Sequence, residues 1–220
     1  MARRTPLDAI YQALSAQLTS YQGWRVPERF TSVEEECAAV RQAAGVADWS
    51  VRGFLLATGA DRVRFLHRML SNEVQALEPG QGNYSTLLTP QAHLVADLYV
   101  WMMEDHLLLE THWVLKDRLR ETLERYIVAD EVVIEDQSQQ LTALAVEGPA
   151  AADILQAAGA QILPGKEFNH TWAILGQQTP VHVCKLSQTG GAGYELIFLV
   201  EYAQPVWEAL AAVQTQVPWK

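Results

Sequence analysis

The sequence predicts an α+β fold in which helices pack on mainly antiparallel sheets. Three observations carry that prediction. Short apolar runs rich in β-formers recur along the 220 residues, set apart by turns bearing Gly, Pro, Asn or Thr. Between them lie segments whose apolar residues return every three or four positions, the period of an amphipathic helix. A strand–glycine–helix pattern also occurs twice: Leu55-Leu-Ala-Thr-Gly59 leading to Phe65-Leu66 is echoed by Leu144-Ala-Val-Glu-Gly148 leading to Ile154-Leu155, 89 residues later. Each glycine stands where a strand must turn sharply into a helix.

Taken in order, Thr5-Pro6-Leu7-Asp8 is a helix-start signal, and Leu7, Ile10, Tyr11 and Leu14 share one face, so a helix is expected to run to near Leu18. Gly23-Trp24-Arg-Val-Pro27 breaks it. Ser32-Val-Glu-Glu35 is a capping box opening a second helix through Gln42, and Val46 to Ser50 leads into extended chain. From Gly53 the pattern reads strand (54–57), helix (60–70), strands (84–88, 94–103 and 107–111), helix (114–126) and strand (131–135). In the last of those helices Leu115, Leu119, Leu123 and Ile127 form the apolar stripe, and the intervening charges, Lys116 among them, read as a solvated face. After the second echo come strands at 171–175, 181–186 and 194–200, then a helix from about Gln204 to Val213.

The stretch Gly82 to Met103 reads as a hairpin turned at Thr89-Pro90-Gln91. Its second strand carries one charge. Alternation places Leu94, Ala96, Leu98, Val100 and Met102 on one face, and Val95, Asp97, Tyr99, Trp101 and Met103 on the other. Asp97 is therefore expected among large apolar and aromatic neighbours, where an ionised carboxylate needs donors or a polar ligand to meet it. That makes Asp97 the first candidate for function.

Composition narrows the classes. With 49% apolar and 19% charged residues the chain is that of an ordinary globular protein. Sixteen basic against 26 acidic residues leave −10, which repels a phosphate backbone, so nucleic acid is not an expected partner. No apolar run is long enough for a membrane span and no secretory pattern opens the chain. Cys37 and Cys184 show neither a metal spacing nor a disulfide framework, and a cytoplasmic location is expected. The six histidines lack two-ligand spacing, so no metal site is expected.

Four segments in this order and spacing make the chain resemble the aminomethyltransferase family, the T-protein of the glycine cleavage system and its folate-binding relatives. They are Gly23-Trp24-Arg-Val-Pro27 with the Glu-rich helix and Ala44-Gly45-Val-Ala-Asp48; Gly82-Asn-Tyr84 through Asp97-Leu98; Val146-Glu-Gly148-Pro149; and Thr189-Gly190-Gly-Ala-Gly193-Tyr194-Glu195. The resemblance runs from Thr5 to about residue 215. It implies two ferredoxin-like antiparallel-sheet units: residues 51–137 inserted as one, residues 1–50 with 138–220 as a folate-binding other. On this resemblance the family's C-terminal barrel domain is expected to be absent.

The resemblance further implies a site for tetrahydrofolate or a one-carbon derivative, with Tyr84, Asp97 and Glu195 binding it, and Asp97 as the catalytic residue facing the reacting nitrogens. The implied reaction is aminomethyl transfer to tetrahydrofolate. The implied partner is a protein carrying the one-carbon donor, or one supplying the missing C-terminal region. Two alternatives stand beside it: a non-catalytic folate-dependent helper in iron–sulfur cluster maintenance, and a structural or partner-binding domain with an inactive pocket. The sequence departs from the family pattern at Ala96, before Asp97; at Glu110 and Trp113, where asparagines are expected; and at Val51, where a His is expected.

Overall fold

The first helix of the protein stops early. In the computed structural model, which describes residues 2–213, α1 covers only Asp8–Ala13. Ser15 takes a left-handed φ of 58° and the Ala16 N–H returns to the Tyr11 carbonyl at 2.9 Å, which closes the helix. Gln17 and Leu18, expected at the end of that helix, instead open a hairpin of β2 (Gln17–Tyr21) and β3 (Trp24–Arg29). Gln22 (φ 47°) and Gly23 (φ 84°) make its two-residue turn, the positive-φ pair that matches the twist of the flanking strands. A two-residue strand, β1 (Arg3–Arg4), runs parallel to β3. Arg25 on β3 holds the buried Asp8 of α1, Nε to Oδ1 at 2.6 Å, and this bond keeps the Asp8 carboxyl below its ordinary range against the opposing effect of burial. Ser32 caps α2 (Val33–Gln42) as expected, accepting from the Glu35 N–H at 3.2 Å, and β4 (Gly45–Asp48) follows.

The chain divides into two compact units. One comprises the described residues of Met1–Val51, Leu141–Glu167 and Thr171–Lys220; the other is Arg52–Gln140 with Phe168–His170. The residues beyond 213 that the sequence reading assigned to the first unit lie outside the described residues. In the second unit the elements are β5 (Arg52–Thr58), α3 (Arg62–Met69), β6 (Gly82–Leu88), β7 (Leu94–Met102), β8 (Leu107–His112), α4 (Lys116–Arg125) and β9 (Val133–Asp136). The sheet order is β6-β7-β8-β5-β9, every pairing antiparallel. Its β9-β5-β8-β7 portion is the ferredoxin-like βαββαβ arrangement, with β6 added at the edge.

One face of this sheet packs on the helices. Leu55, Ala57, Leu98, Val100, Leu107 and Leu109 meet Phe65 and Leu66 of α3 and Leu119 and Leu123 of α4, all at 1% exposure or less. Two details differ from the sequence reading. A register shift between Leu87 and Leu88 breaks the alternation at the start of β7, so Val95 is buried in this core while Leu94 is exposed. Lys116, read as part of the solvated face, is 6% exposed, with Nζ bound to Asp136 at 2.6 Å and to Asp117 at 2.9 Å.

The first unit repeats the plan. Its elements after β4 are β10 (Leu141–Glu147), α5 (Ala151–Ala157), β11 (His170–Leu175), β12 (Thr179–Cys184), β13 (Gly193–Leu199) and α6 (Ala203–Ala212). The order β11-β12-β13-β10-β4 maps strand for strand onto β6-β7-β8-β5-β9. The edge place filled by β9 in one unit, from later in the chain, is filled by β4 in the other, from earlier. Leu7 and Tyr11 of α1 and Ala44, just after α2, join the core built by Ile154, Leu155, Val206 and Leu210.

Both strand-to-helix crossings of the echo rest on a glycine that nothing else can replace. Gly59 has φ +100° and a Cβ there would lie 2.0 Å from the Glu131 carbonyl oxygen; Gly148 has φ +120° and its Cβ would lie 2.6 Å from the Val40 and Ala43 carbonyl oxygens. Backbone, not a yielding side chain, is in the way. We therefore expect Gly59→Ala and Gly148→Ala each to lower stability in urea titration by about 3 kcal/mol or more, because strain at positive φ adds to steric displacement. Gly23→Ala, whose Cβ meets nothing within 4 Å, should bring only the left-handed penalty of about 1–2 kcal/mol.

Candidate functional site

The face of β6-β7-β8-β5 turned away from the helices gathers the unusual side chains of the second unit. The ladders align Tyr84, Tyr99, Glu110 and Phe54 in one row across four strands. In the next row Thr86 pairs with Asp97 and Arg52 with His112. The β7–β8 ladder ends at the Tyr99–Glu110 pair, and beyond it the Thr111 hydroxyl, next to His112 in the chain, donates to the Asp97 carbonyl at 2.7 Å.

The structure brings Tyr84 and Asp97 together. The Tyr84 hydroxyl donates to Asp97 Oδ2 at 3.0 Å. The setting is less dry than alternation suggested: Asp97 is half-buried and Tyr84 is 43% exposed. Burial, followed by the bond to Asp97, raises the Tyr84 phenol above its ordinary value, so it remains a donor at neutral pH. Asp97 Oδ1 makes no hydrogen bond among the described residues. Beside the pair runs an aromatic ladder, Tyr84 to Tyr99 at 5.3 Å and Tyr99 to Trp101 at 5.8 Å between ring centroids. Phe168 lies 6.1 Å from Tyr99, and His170 meets Trp101 edge-on at 5.7 Å. Gly82 stands opposite Trp101 in the register, and a Cβ there would strike the indole at 2.6 Å.

Under this ladder lies a charge pair. Glu110 is 0% exposed and Arg52 5%; Arg52 Nε donates to Glu110 Oε1 at 2.6 Å and Trp101 Nε1 to Oε2 at 2.9 Å. The Arg52 guanidinium also sits over the Tyr99 ring, 5.4 Å from its centroid. Both Glu110 oxygens are thus met by donors, and the pair leaves the floor of the site close to neutral. Arg52, Tyr99, Trp101 and His112 were not singled out as site residues from the sequence. The signal for the cluster was present, since Leu107-Leu-Leu-Glu110 is a lone carboxylate in an apolar strand, the same pattern that marked Asp97.

Glu195 belongs to the other unit. It lies on β13, 1% exposed, paired in register with Ala145 of β10 and Cys184 of β12. Its neighbours Tyr194 and Leu196 point into the helix-packed core, so alternation puts Glu195 on the opposite face. The same unit holds a cavity of about 340 Å³ lined by Tyr11, Phe30, Asp48, Trp49 and Trp207 among others, and none of the three expected site residues lines it. The Gly-rich loop 189–193 is tied down by buried Glu147, which accepts from the Ser187 hydroxyl at 2.7 Å, the Thr189 hydroxyl at 2.8 Å and the Gln188 N–H at 2.9 Å. Among the described residues no three His, Cys, Asp or Glu side chains gather as metal ligands, and no helix is long and apolar enough to cross a membrane.

Comparison with known proteins gives one consistent result. The GCVT N-terminal domain matches residues 7–218. An aminomethyltransferase of Bacillus pumilus is 33% identical over 217 residues, covering 97% of this chain and 59% of its own length. The crystal structure of glycine cleavage system aminomethyltransferase T from Bartonella henselae superposes with a TM-score of 0.86 at 24% identity, covering all of this chain and 59% of that one. Heterotetrameric sarcosine oxidase from Corynebacterium sp. U-96 has a chain that superposes at 0.64 with 17% identity, 97% of this chain and 95% of that one being covered. The two structures share the fold. The chain spans less than two thirds of the length of the curated relatives it matches.

Two outcomes follow from the buried groups. Arg52→Met leaves the Glu110 carboxylate buried without its guanidinium and should lower stability by about 3–5 kcal/mol. Arg52→Met with Glu110→Leu removes both charges and should restore most of that loss, which a double-mutant cycle in urea measures. The second outcome concerns pH. Burial holds the His170 imidazole below its ordinary value of 6.5, so below that pH the unfolded chain binds more protons than the folded one. Stability should therefore fall as pH drops from 7 to 5, above the carboxylate range in which Asp8 and Asp136 act, and His170→Gln should reduce this limb, leaving the share of His112, which burial also holds low.

Proposed function

The chain belongs to the aminomethyltransferase family through its GCVT N-terminal domain, and on that premise we propose that it binds tetrahydrofolate or a one-carbon derivative at Asp97. The observation that carries this reading is the Tyr84–Asp97 pair at 3.0 Å beside a ladder of three aromatic rings. The donor set fits the ligand. A pterin is flat, which suits stacking on Tyr84 and Tyr99, and its ring N–H and amino groups are donors that carboxylates accept in pairs.

In this reading each residue has a distinct task. Tyr84 donates to Asp97 Oδ2 and fixes the carboxylate's orientation, which leaves Oδ1 for the ligand. Asp97 holds positive charge and accepts a proton at the reacting centre, as a positioned carboxylate does in acid–base and electrostatic catalysis. The family resemblance assigns Glu195, carried by the other unit, to recognition of the pterin. Phe168 and Trp101 keep water from the deeper side of the rings. When bound, the folate supplies the nitrogen that takes up the one-carbon unit. The reaction we assign is aminomethyl transfer to tetrahydrofolate, with the one-carbon donor brought by a partner protein.

Calorimetric titration with tetrahydrofolate and with its formyl derivative tests the assignment. Asp97→Asn and Glu195→Gln should each weaken binding by about 1.5–3 kcal/mol, the worth of a hydrogen bond to a charged group. Asp97→Asn should in addition abolish transfer. Folate affinity without transfer would make the chain a non-catalytic folate-dependent helper, as in iron–sulfur cluster maintenance, and absence of affinity for either folate would make it a structural or partner-binding domain.

A further inference from the structure

His112 closes β8 opposite Arg52 of β5 and directly after Thr111, whose hydroxyl donates to the Asp97 carbonyl of β7 at 2.7 Å, and the functional reading so far gives it no task. Its Nδ1 is buried and has no hydrogen-bond partner among the described residues. A buried ring nitrogen left unsatisfied calls for an explanation, since such groups are nearly always bonded. Every charge that acts on it belongs to this face: Arg52, Asp97, and Glu110 two residues back on its own strand. Tyr84 reaches the group only through Asp97.

We propose that His112 is a further residue of the Asp97 site and governs ligand binding there, because the protonated imidazole takes the Asp97 carboxylate that the ligand needs. The proposal rests on the folate reading for the identity of the ligand, but the pairing of His112 with Asp97 does not. Two opposed influences set the balance. Burial and the Arg52 guanidinium oppose a charge on His112, while Asp97 and Glu110 favour it, and the former prevail: the imidazole lies below its ordinary value of 6.5 and is neutral at pH 7. In that state Asp97 Oδ1 is open to a ligand N–H. As the pH falls, solvent protonates His112, the imidazolium donates to Asp97, and ligand and imidazolium then compete for one carboxylate. By reciprocity, a ligand held on Asp97 makes His112 harder to protonate.

The test reads binding and titration separately. Calorimetric titration of the whole chain with tetrahydrofolate is carried out from pH 7.5 to 5, and the His112 ring signals are followed by NMR over the same range with and without the folate. The affinity of the wild-type chain should fall once the pH drops below the His112 midpoint, by up to about tenfold for each unit beneath it, whereas that of His112→Gln, neutral throughout, should stay level over the range. The NMR midpoint of His112 should lie below 6.5, fall further when folate is bound, and fall further in Asp97→Asn, where the attracting charge is gone. A pH step that persists in His112→Gln, or a His112 midpoint indifferent to Asp97→Asn, overturns the proposal. Should neither folate bind at any pH, the folate reading fails alone, and the Asp97→Asn shift in the His112 midpoint still decides whether the two side chains are coupled. His112→Asn, smaller and also neutral, replaces His112→Gln if the latter does not fold.

Discussion

Glu110 is fully buried, and an ionised carboxylate at that depth is destabilised by several kcal/mol unless both oxygens are met. Arg52 Nε meets one and Trp101 Nε1 the other, and the rest of the open face follows from that requirement. To donate to Glu110, Trp101 must lie flat along β7, which Gly82 permits by having no Cβ. To reach Glu110, Arg52 must extend beneath Tyr99, whose ring it then supports. Tyr99 in turn positions Tyr84, and Tyr84 holds Asp97. The orientation of the half-buried carboxylate is inherited, contact by contact, from the buried one.

The helix-packed sides of both sheets were legible in the sequence because burial there is read by period. Leu119 and Leu123, Phe65 and Leu66, Ile154 and Leu155 all stand where three- and four-residue spacing puts them. The echo around Gly59 and Gly148 was legible for a different reason, a backbone conformation and a steric gap that only glycine satisfies. The α1 region was misread because Leu7, Ile10, Tyr11 and Leu14 keep helical spacing up to the point where Ser15 ends the helix, and the Gln22-Gly23 turn is a short signal beside that run. Lys116 was misread because charge on a helix reads as solvated unless its partners are known, and Asp136 is 20 residues away.

On the open face, spacing alone could not locate the site's full membership. Asp97 stood out as a charge in an apolar strand, and Tyr84 and Glu195 came from family resemblance. Arg52 begins its strand and His112 ends its own, positions where polar residues are ordinary, so neither departs from pattern. Their significance arises only from cross-strand register, which pairs residues 60 apart in the chain. Glu110 carried the same signal as Asp97, and its weight became clear once Arg52 was found opposite.

The two units share one strand order and one glycine-hinged crossing but differ in where they place charge. In the first, the buried Glu147 secures a loop, and the buried Glu195 faces away from the helices. In the second, Glu110 is matched by Arg52 within hydrogen-bond distance, and that match decides the electrostatics of the site. A neutralised pair contributes little net field at a distance, so the half-buried Asp97 remains the charge that a bound donor would meet. His112, on which that charge acts, is neutral at pH 7. Had Glu110 been buried without Arg52, its negative charge would have favoured a protonated His112. Arg52 thus acts twice, by satisfying Glu110 and by disfavouring charge on His112, and both effects leave Asp97 available.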